Sequence, residues 1–199
     1  MERIYQTITE IEEKSEAELV VIRHGQSGNY SEVELGAGCV LAAITFTAQM
    51  FVDIEIDPYT IYWITMASFL VGFLAVKFIR PLKSLLLPRK KKTRNVEIYA
   101  RALFQKGGIH LTKKHIGIIV FCSDLEKTAA IIADNGIETK VPGEEMKKVK
   151  EALKSAYKSS DFVANIAHPL NTLSQVLQTY LPSSGKDLNE IPDDLKITL

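Results

Sequence analysis

An α/β fold with a mixed sheet, built as a sandwich and interrupted by a two-helix transmembrane hairpin, is predicted by three observations. Two charge-free apolar stretches, Leu35 to Val52 and Pro58 to Val76, lie inside the chain rather than at its start. Short apolar runs rich in β-branched residues stand on both sides of them: Leu19 to Ile22 before, Ile116 to Phe121 and Thr128 to Ala133 after. Amphipathic helical repeats occupy most of the remainder.

Each apolar stretch is near the roughly 20 residues that a helix needs to cross about 30 Å of hydrocarbon. Helices are expected at about 35–52 and 58–79, with the hairpin as a whole covering 35–80. Lys77, Arg80, Lys83, Arg89, Lys90, Lys91, Lys92 and Arg94 follow the second stretch, whereas the connecting loop carries Asp53, Glu55 and Asp57 and no base. This bias places the basic flank and both termini in the cytoplasm and the acidic loop outside. Tyr59, Tyr62 and Trp63 suit the outer interface. Gly36, Ala37, Gly38, Ala42 and Ala43 permit close helix approach. Thr45, Thr47, Gln49, Thr65 and Ser68 are the notable polar groups in the spans, with no ionisable side chain at depth. The hairpin therefore reads as an anchor and not as a transport path. The expected location is an integral membrane protein with two spans, of bacterial inner-membrane type.

Lysine plus arginine equal aspartate plus glutamate at 24 each, so no global field selects nucleic acid. The run Arg89, Lys90, Lys91, Lys92 and Arg94 lacks interleaved aromatics, and contact with anionic lipid headgroups accounts for it. Cys39 and Cys122 are too few for a zinc site and lie in different surroundings, which fits a reducing compartment.

Ile4, Ile8 and Ile11 repeat at helical spacing before the strand Leu19 to Ile22, whose two apolar faces suit a central position. Beyond the hairpin, Val96, Tyr99, Ala100, Leu103 and Phe104 mark a helix stopped at Gly107 and Gly108. Ile116 to Phe121 and Thr128 to Ala133, joined by Ser123, Asp124, Leu125 and Glu126, predict an antiparallel pair. Asn135 and Gly136 then predict a turn into a fourth, edge strand over Ile137 to Val141. Pro142 and Gly143 open a helix along Met146, Val149, Leu153 and Ala156. A last helix carries Phe162, Val163, Ile166, Leu170, Leu173, Leu177 and Tyr180 up to Pro182. The organisation expected is a discontinuous cytoplasmic domain over 1–34 and 90–182, a basic juxtamembrane linker over 81–94, and a tail over 183–199. The first two strands are expected to be parallel, joined by crossover.

The glutamate-rich helix running into Glu18-Leu19-Val20-Val21-Ile22 is one of several local strings that carry a resemblance. The others are Ala100 to Phe104 with Leu111-Thr112, Gly117 to Ser123, Ile131 to Gly136, and Asn189-Glu190-Ile191-Pro192-Asp193. Together they resemble the TPM-domain family, named for thylakoid-lumen, photosystem-repair and acetylcholine-receptor-modulating members. The chain is most similar to an uncharacterised membrane-inserted bacterial branch. The resemblance implies a Rossmann-like α/β/α sandwich and, from other branches, acid phosphatase activity, calcium binding, or assembly and repair of membrane complexes. The acidic segment that contributes to metal binding in those branches has no counterpart before the first helix. No cofactor is therefore expected, calcium being the one that the resemblance would supply.

Val21-Ile22-Arg23-His24-Gly25-Gln26-Ser27-Gly28-Asn29 looks like the strand-end Arg-His-Gly motif of the histidine phosphatase family. There a histidine takes the phosphoryl group while arginines hold its oxygens. Here none of His110, His115 and His168 follows a strand that would bring it beside His24. The motif reads instead as a polar strand exit, with Gly25 and Gly28 permitting the turn toward the membrane. His110 and His115 do not share a helix face and no acidic cluster joins them, so metal ligation there is not expected. Asp124 and Glu126 in one turn, with Asp134 and Asn135 in the next, are the candidate binding residues. They are expected to converge at the sheet ends, where α/β domains bind ligands. The function expected is a non-catalytic binding or assembly module whose partners are the bilayer and another membrane protein or complex. The alternative is a membrane-bound phosphatase or other hydrolase, metal-dependent or not.

Overall fold

The computed structural model describes residues 11, 14–156, 165–183 and 197–198. Of the predicted first helix, Ile4 and Ile8 lie outside the described residues, as do Phe162 and Val163 of the last helix and the string from Asn189 to Asp193. The chain divides into two compact units, Met1–Ser27 with Arg89–Leu199, and Gly28–Pro88.

The first unit is a mixed α/β structure. Its strands are β1 (Glu18–His24), β2 (Gly117–Ser123), β3 (Thr128–Ala133) and the two-residue β4 (Ile197–Thr198), in the order β3-β2-β1-β4. β1 and β2 are parallel, from Glu18 opposite Gly117 to His24 opposite Ser123. β2 and β3 are antiparallel, with Val120 opposite Ile131. β4 lies parallel to β1. All seven β2 residues are buried, which explains why that strand reads as an unbroken apolar run: helices cover both of its faces.

Alternation along the strands divides the core. Leu19, Val21, Ile118, Val120 and Ile131 pack with Ile137, Val149, Leu153, Leu170 and Leu173 on one face. Val20 and Ile119 meet Phe104 and Ile109 on the other face, where Phe121 and Ala130 meet Val96 and Ala100. Burying each large aliphatic side chain contributes about 1.5–3 kcal/mol, and a fully buried Leu170 is expected to cost about 2–5 kcal/mol on truncation to alanine.

The edge strand expected over Ile137 to Val141 is instead a helix, Asn135–Lys140. The Asp134 carboxylate accepts from the Asn135 amide at 2.8 Å and caps it. Gly136 is required by a close backbone approach and not by a hairpin turn, because a Cβ there would stand 2.4 Å from the carbonyl oxygens of Lys114 and His115. The basic linker expected over 81–94 is helical as well. Arg80–Leu86 is one short helix, and Arg89 begins a helix that continues to Lys106.

The second unit contains α1 (Ser31–Met50), α2 (Pro58–Phe78) and α3 (Arg80–Leu86). In the first unit α4 is Arg89–Lys106, α5 Asn135–Lys140, α6 Gly143–Ala156 and α7 Ala167–Tyr180. α1 and α2 are each long and apolar enough to cross a membrane. Gly38 and Gly72 set their separation: a Cβ on Gly38 would lie 2.9 Å from the Phe69 carbonyl oxygen, and one on Gly72 would lie 2.9 Å from that of Ala37. Asp57 caps α2 by accepting from the Tyr59 and Thr60 amides at 3.0 and 3.3 Å. The polar residues of the spans bond locally. Thr47 donates to the Ala43 carbonyl, Ser68 to that of Thr65, and the Gln49 amide to both the Thr45 carbonyl and the Thr65 hydroxyl. Glu34 and Lys83 form a buried ion pair of 2.6 Å, with the ammonium 6.0 Å from the centre of the buried Tyr30 ring.

Candidate functional site

Parallel pairing brings the carboxyl ends of β1 and β2 together, where open α/β sheets place their ligand sites. The pairing continues past the strands, the amides of Asp124 and Leu125 donating to the carbonyls of His24 and Gly25 at 3.1 Å each. The β2–β3 turn therefore clasps the segment by which the chain leaves the unit. Lys127 closes that turn in the left-handed region, with φ 49°.

Glu126 is buried at the centre of this clasp. One carboxylate oxygen accepts from the Ser27 amide at 2.9 Å and from the Ser27 hydroxyl at 2.7 Å. The other accepts a short hydrogen bond from the Ser123 hydroxyl. A carboxylate held on both oxygens by buried donors fastens the turn to the departing segment. Ser27 is the last residue of the α/β unit, so this fastener fixes the point of departure.

Around it, the Arg23 guanidinium donates to Asp124 at 2.9 Å, both side chains being about one-third exposed. The exposed His24 ring stacks on Tyr99 with centroids 5.4 Å apart, and Tyr99 leans on Phe121 at 5.2 Å. His24 Nδ1 lies 2.7 Å from the Gln26 carbonyl oxygen. Burial pushes the Lys92 ammonium of α4 below the ordinary lysine range; the Glu126 carboxylate opposes that shift, and Lys127 and Arg89 reinforce it.

The four candidate binding residues do not converge. Asp124 and Glu126 stand at the carboxyl end of β2, whereas Asp134 donates its amide to Gly117 at the opposite end. The six residues of β3 separate the two pairs, a distance of about 17–20 Å. The antiparallel return of β3 is the physical reason, since it carries the second turn back to the start of β2. There Asp134 caps α5 and lies 3.2 Å from His115 Nδ1. His110 sits beside Phe104 on the same far side, and His168 is on α7, so none of the three stands with His24. Among the described residues no group of three or more His, Cys, Asp or Glu side chains is placed to hold a metal ion.

The basic run occupies the first turns of α4. Arg89, Lys90 and Arg94 are exposed, and Lys91 and Lys92 half-buried. Consecutive residues advance about 100° around a helix, so the run surrounds the helix instead of forming one stripe. Ser27, Ser123 and Tyr99 belong to the cluster and were not legible as such. Ser27 lies 99 residues from its partner Glu126 and Tyr99 stacks on the distant His24, whereas Ser123, three residues from Glu126, reads as an ordinary turn residue.

Neither the family models nor the curated proteins give a match to this chain. Among solved structures, the NMR structure of the BA42 protein from the psychrophilic bacterium Bizionia argentinensis is similar, with a TM-score of 0.59 at 15% identity. The similarity covers 99% of this chain and 91% of that one, and it is a likeness of fold alone.

Proposed function

We propose that this protein is a membrane-anchored, TPM-like module with a Rossmann-like sandwich, which binds or helps assemble a membrane complex without catalysis. The observation that carries the reading is the exposure of large apolar side chains around α1 and α2. Trp63 is 66% exposed, Val71 60% and Ile44 60%, a surface that water disfavours and hydrocarbon accepts. The acidic loop at Asp53, Glu55 and Asp57 then faces outward, and the basic start of α4 meets anionic headgroups on the cytoplasmic side with both termini. The non-catalytic part is supported by the cluster at the strand ends, where Glu126 is committed to Ser27 and Ser123 and Asp124 to Arg23.

Three measurements test this. In liposomes, Glu55→Cys and Lys90→Cys, each on a Cys39→Ser background whose one native thiol is the buried Cys122, are expected to react with an impermeant reagent from opposite sides; reaction of both from one side removes the hairpin reading. Crosslinking in native membranes is expected to capture a defined membrane complex. Turnover of generic phosphate esters that is lost in His24→Ala or Asp124→Ala replaces the binding reading with a hydrolase.

A further inference from the structure

The outer edge of β3, on the far side of the sheet from β4, is open and recessed. β3 is the last strand on its side of the sheet among the described residues. Ile119 stands opposite Ile132 and Phe121 opposite Ala130, and the Asp134 amide donates to Gly117. In an antiparallel ladder this register turns the backbone groups of Thr128, Ala130 and Ile132 toward β2, and those of Ala129, Ile131 and Ala133 outward. Three alternate residues thus offer donors and acceptors along the edge, the template that a further strand completes.

That edge is the floor of a cleft of about 650 Å³, formed there by Ile131 and Ala133. α4 supplies one wall with Arg101 and Phe104, α6 the other with Met146 and Lys150, and Asp134 and Glu138 line the cleft where β3 runs into α5. Arg101 and Lys150 are exposed, and among the described residues neither has an ion-pair partner. A second copy of the chain fits this place poorly, because its own β3 is equally recessed and helix walls would meet before the strands came within about 4.8 Å. A detached, extended segment reaches the floor.

We propose that the β3 edge binds an extended peptide segment of a partner protein as an added strand, with carboxylate side chains directed at Arg101 and Lys150. Backbone pairing supplies affinity, the two cations, one on each wall, attract acidic residues of the incoming strand, and Glu138 and Asp134 disfavour them where β3 runs into α5. The proposal rests on the partner-recognition reading and names the chemistry of what is recognised.

The test uses the full chain in detergent micelles and a phage-displayed library of random decapeptides. Selected peptides are expected to carry Asp or Glu between apolar residues. Each is expected to slow hydrogen exchange at the amides of Ala129, Ile131 and Ala133 by about tenfold or more, leaving Ala130 and Ile132 unchanged. Ala133→Pro removes an outward donor while sparing the ladder to β2, and is expected to raise Kd about tenfold. Arg101→Glu combined with Lys150→Glu, both on exposed positions, is expected to abolish the preference for acidic peptides. Failure to select any binder, binders that leave the three alternate amides unchanged, or protection of those amides by dimerisation without peptide would each overturn the proposal. Membrane insertion is read separately by the labelling in liposomes, so failure there does not imitate failure here.

Discussion

In the α/β unit Val21, Ile118 and Leu173 are sealed inside, whereas in Gly28–Pro88 Phe51, Trp63 and Val71 face outward. The inside of that second unit holds Gly38, Gly72 and the Glu34–Lys83 pair. On the proposed membrane-anchored reading, the same apolar residue types serve two solvents. Where water is outside, close packing of large side chains holds the elements together. Where the proposal puts hydrocarbon outside, close backbone approach and polar contacts hold them instead.

The sharpest way to break this contrast is Lys83→Ala, which leaves the Glu34 carboxylate buried without its partner. A loss of about 3–5 kcal/mol is expected, and Trp63, the single tryptophan, reports it by fluorescence during unfolding in detergent. Joint replacement of Glu34 and Lys83 by methionine is expected to restore most of that loss. Glu126→Ala is the counterpart in the α/β unit, stranding buried donors of Ser27 and Ser123 at a cost of about 3 kcal/mol. Its signature is a lowered unfolding midpoint by far-UV circular dichroism, while the Trp63 transition stays in place. Gly72→Val should cost about 1–3 kcal/mol by forcing α1 and α2 apart, visible as a longer spin-label distance between them. Asp124→Ala, at a partly exposed pair, is expected to cost less than about 1 kcal/mol.

Lys92 gives the smallest effect and a definite sign. Burial places its folded-state pKa below the unfolded one, so the charged form costs stability at neutral pH, and the cost fades as pH climbs through the folded value toward the ordinary lysine range. Lys92→Met should therefore raise the melting temperature at pH 7, with the gain shrinking by about pH 10. A gain that grows with pH would reverse the assignment of burial as the dominant cause.

The three principal strands and both apolar helices were legible because each depends on local composition: β-branched runs covered on two faces, and stretches without charge. At Asn135-Gly136 the local pattern and the structure disagree for an identifiable reason. The alternation of Ile137, Glu138, Thr139, Lys140 and Val141 fits a strand, but the Asp134 cap and the approach of Gly136 to the Lys114–His115 backbone decide for a helix. Tertiary contact overrode a local signal. The polar cluster was half legible. Asp124 and Glu126 stood out by type, yet their separation from Asp134 and Asn135 follows from the direction of β3, and the role of Ser27 follows from a partner 99 residues away. The close approach at Gly72 has no signal in the sequence, because a lone glycine in an apolar stretch carries no periodicity.

Parallel pairing of β1 with β2 also sets a timetable during translation. β1 leaves the ribosome about a hundred residues ahead of the strand beside it, which at roughly 5–20 residues per second is a wait of about 5–20 s. Throughout that interval Leu19 to Ile22 is an apolar segment without its β2 partner, so nascent chains arrested before Gly117 should recruit holdase chaperones that chains arrested well beyond Ser123 release.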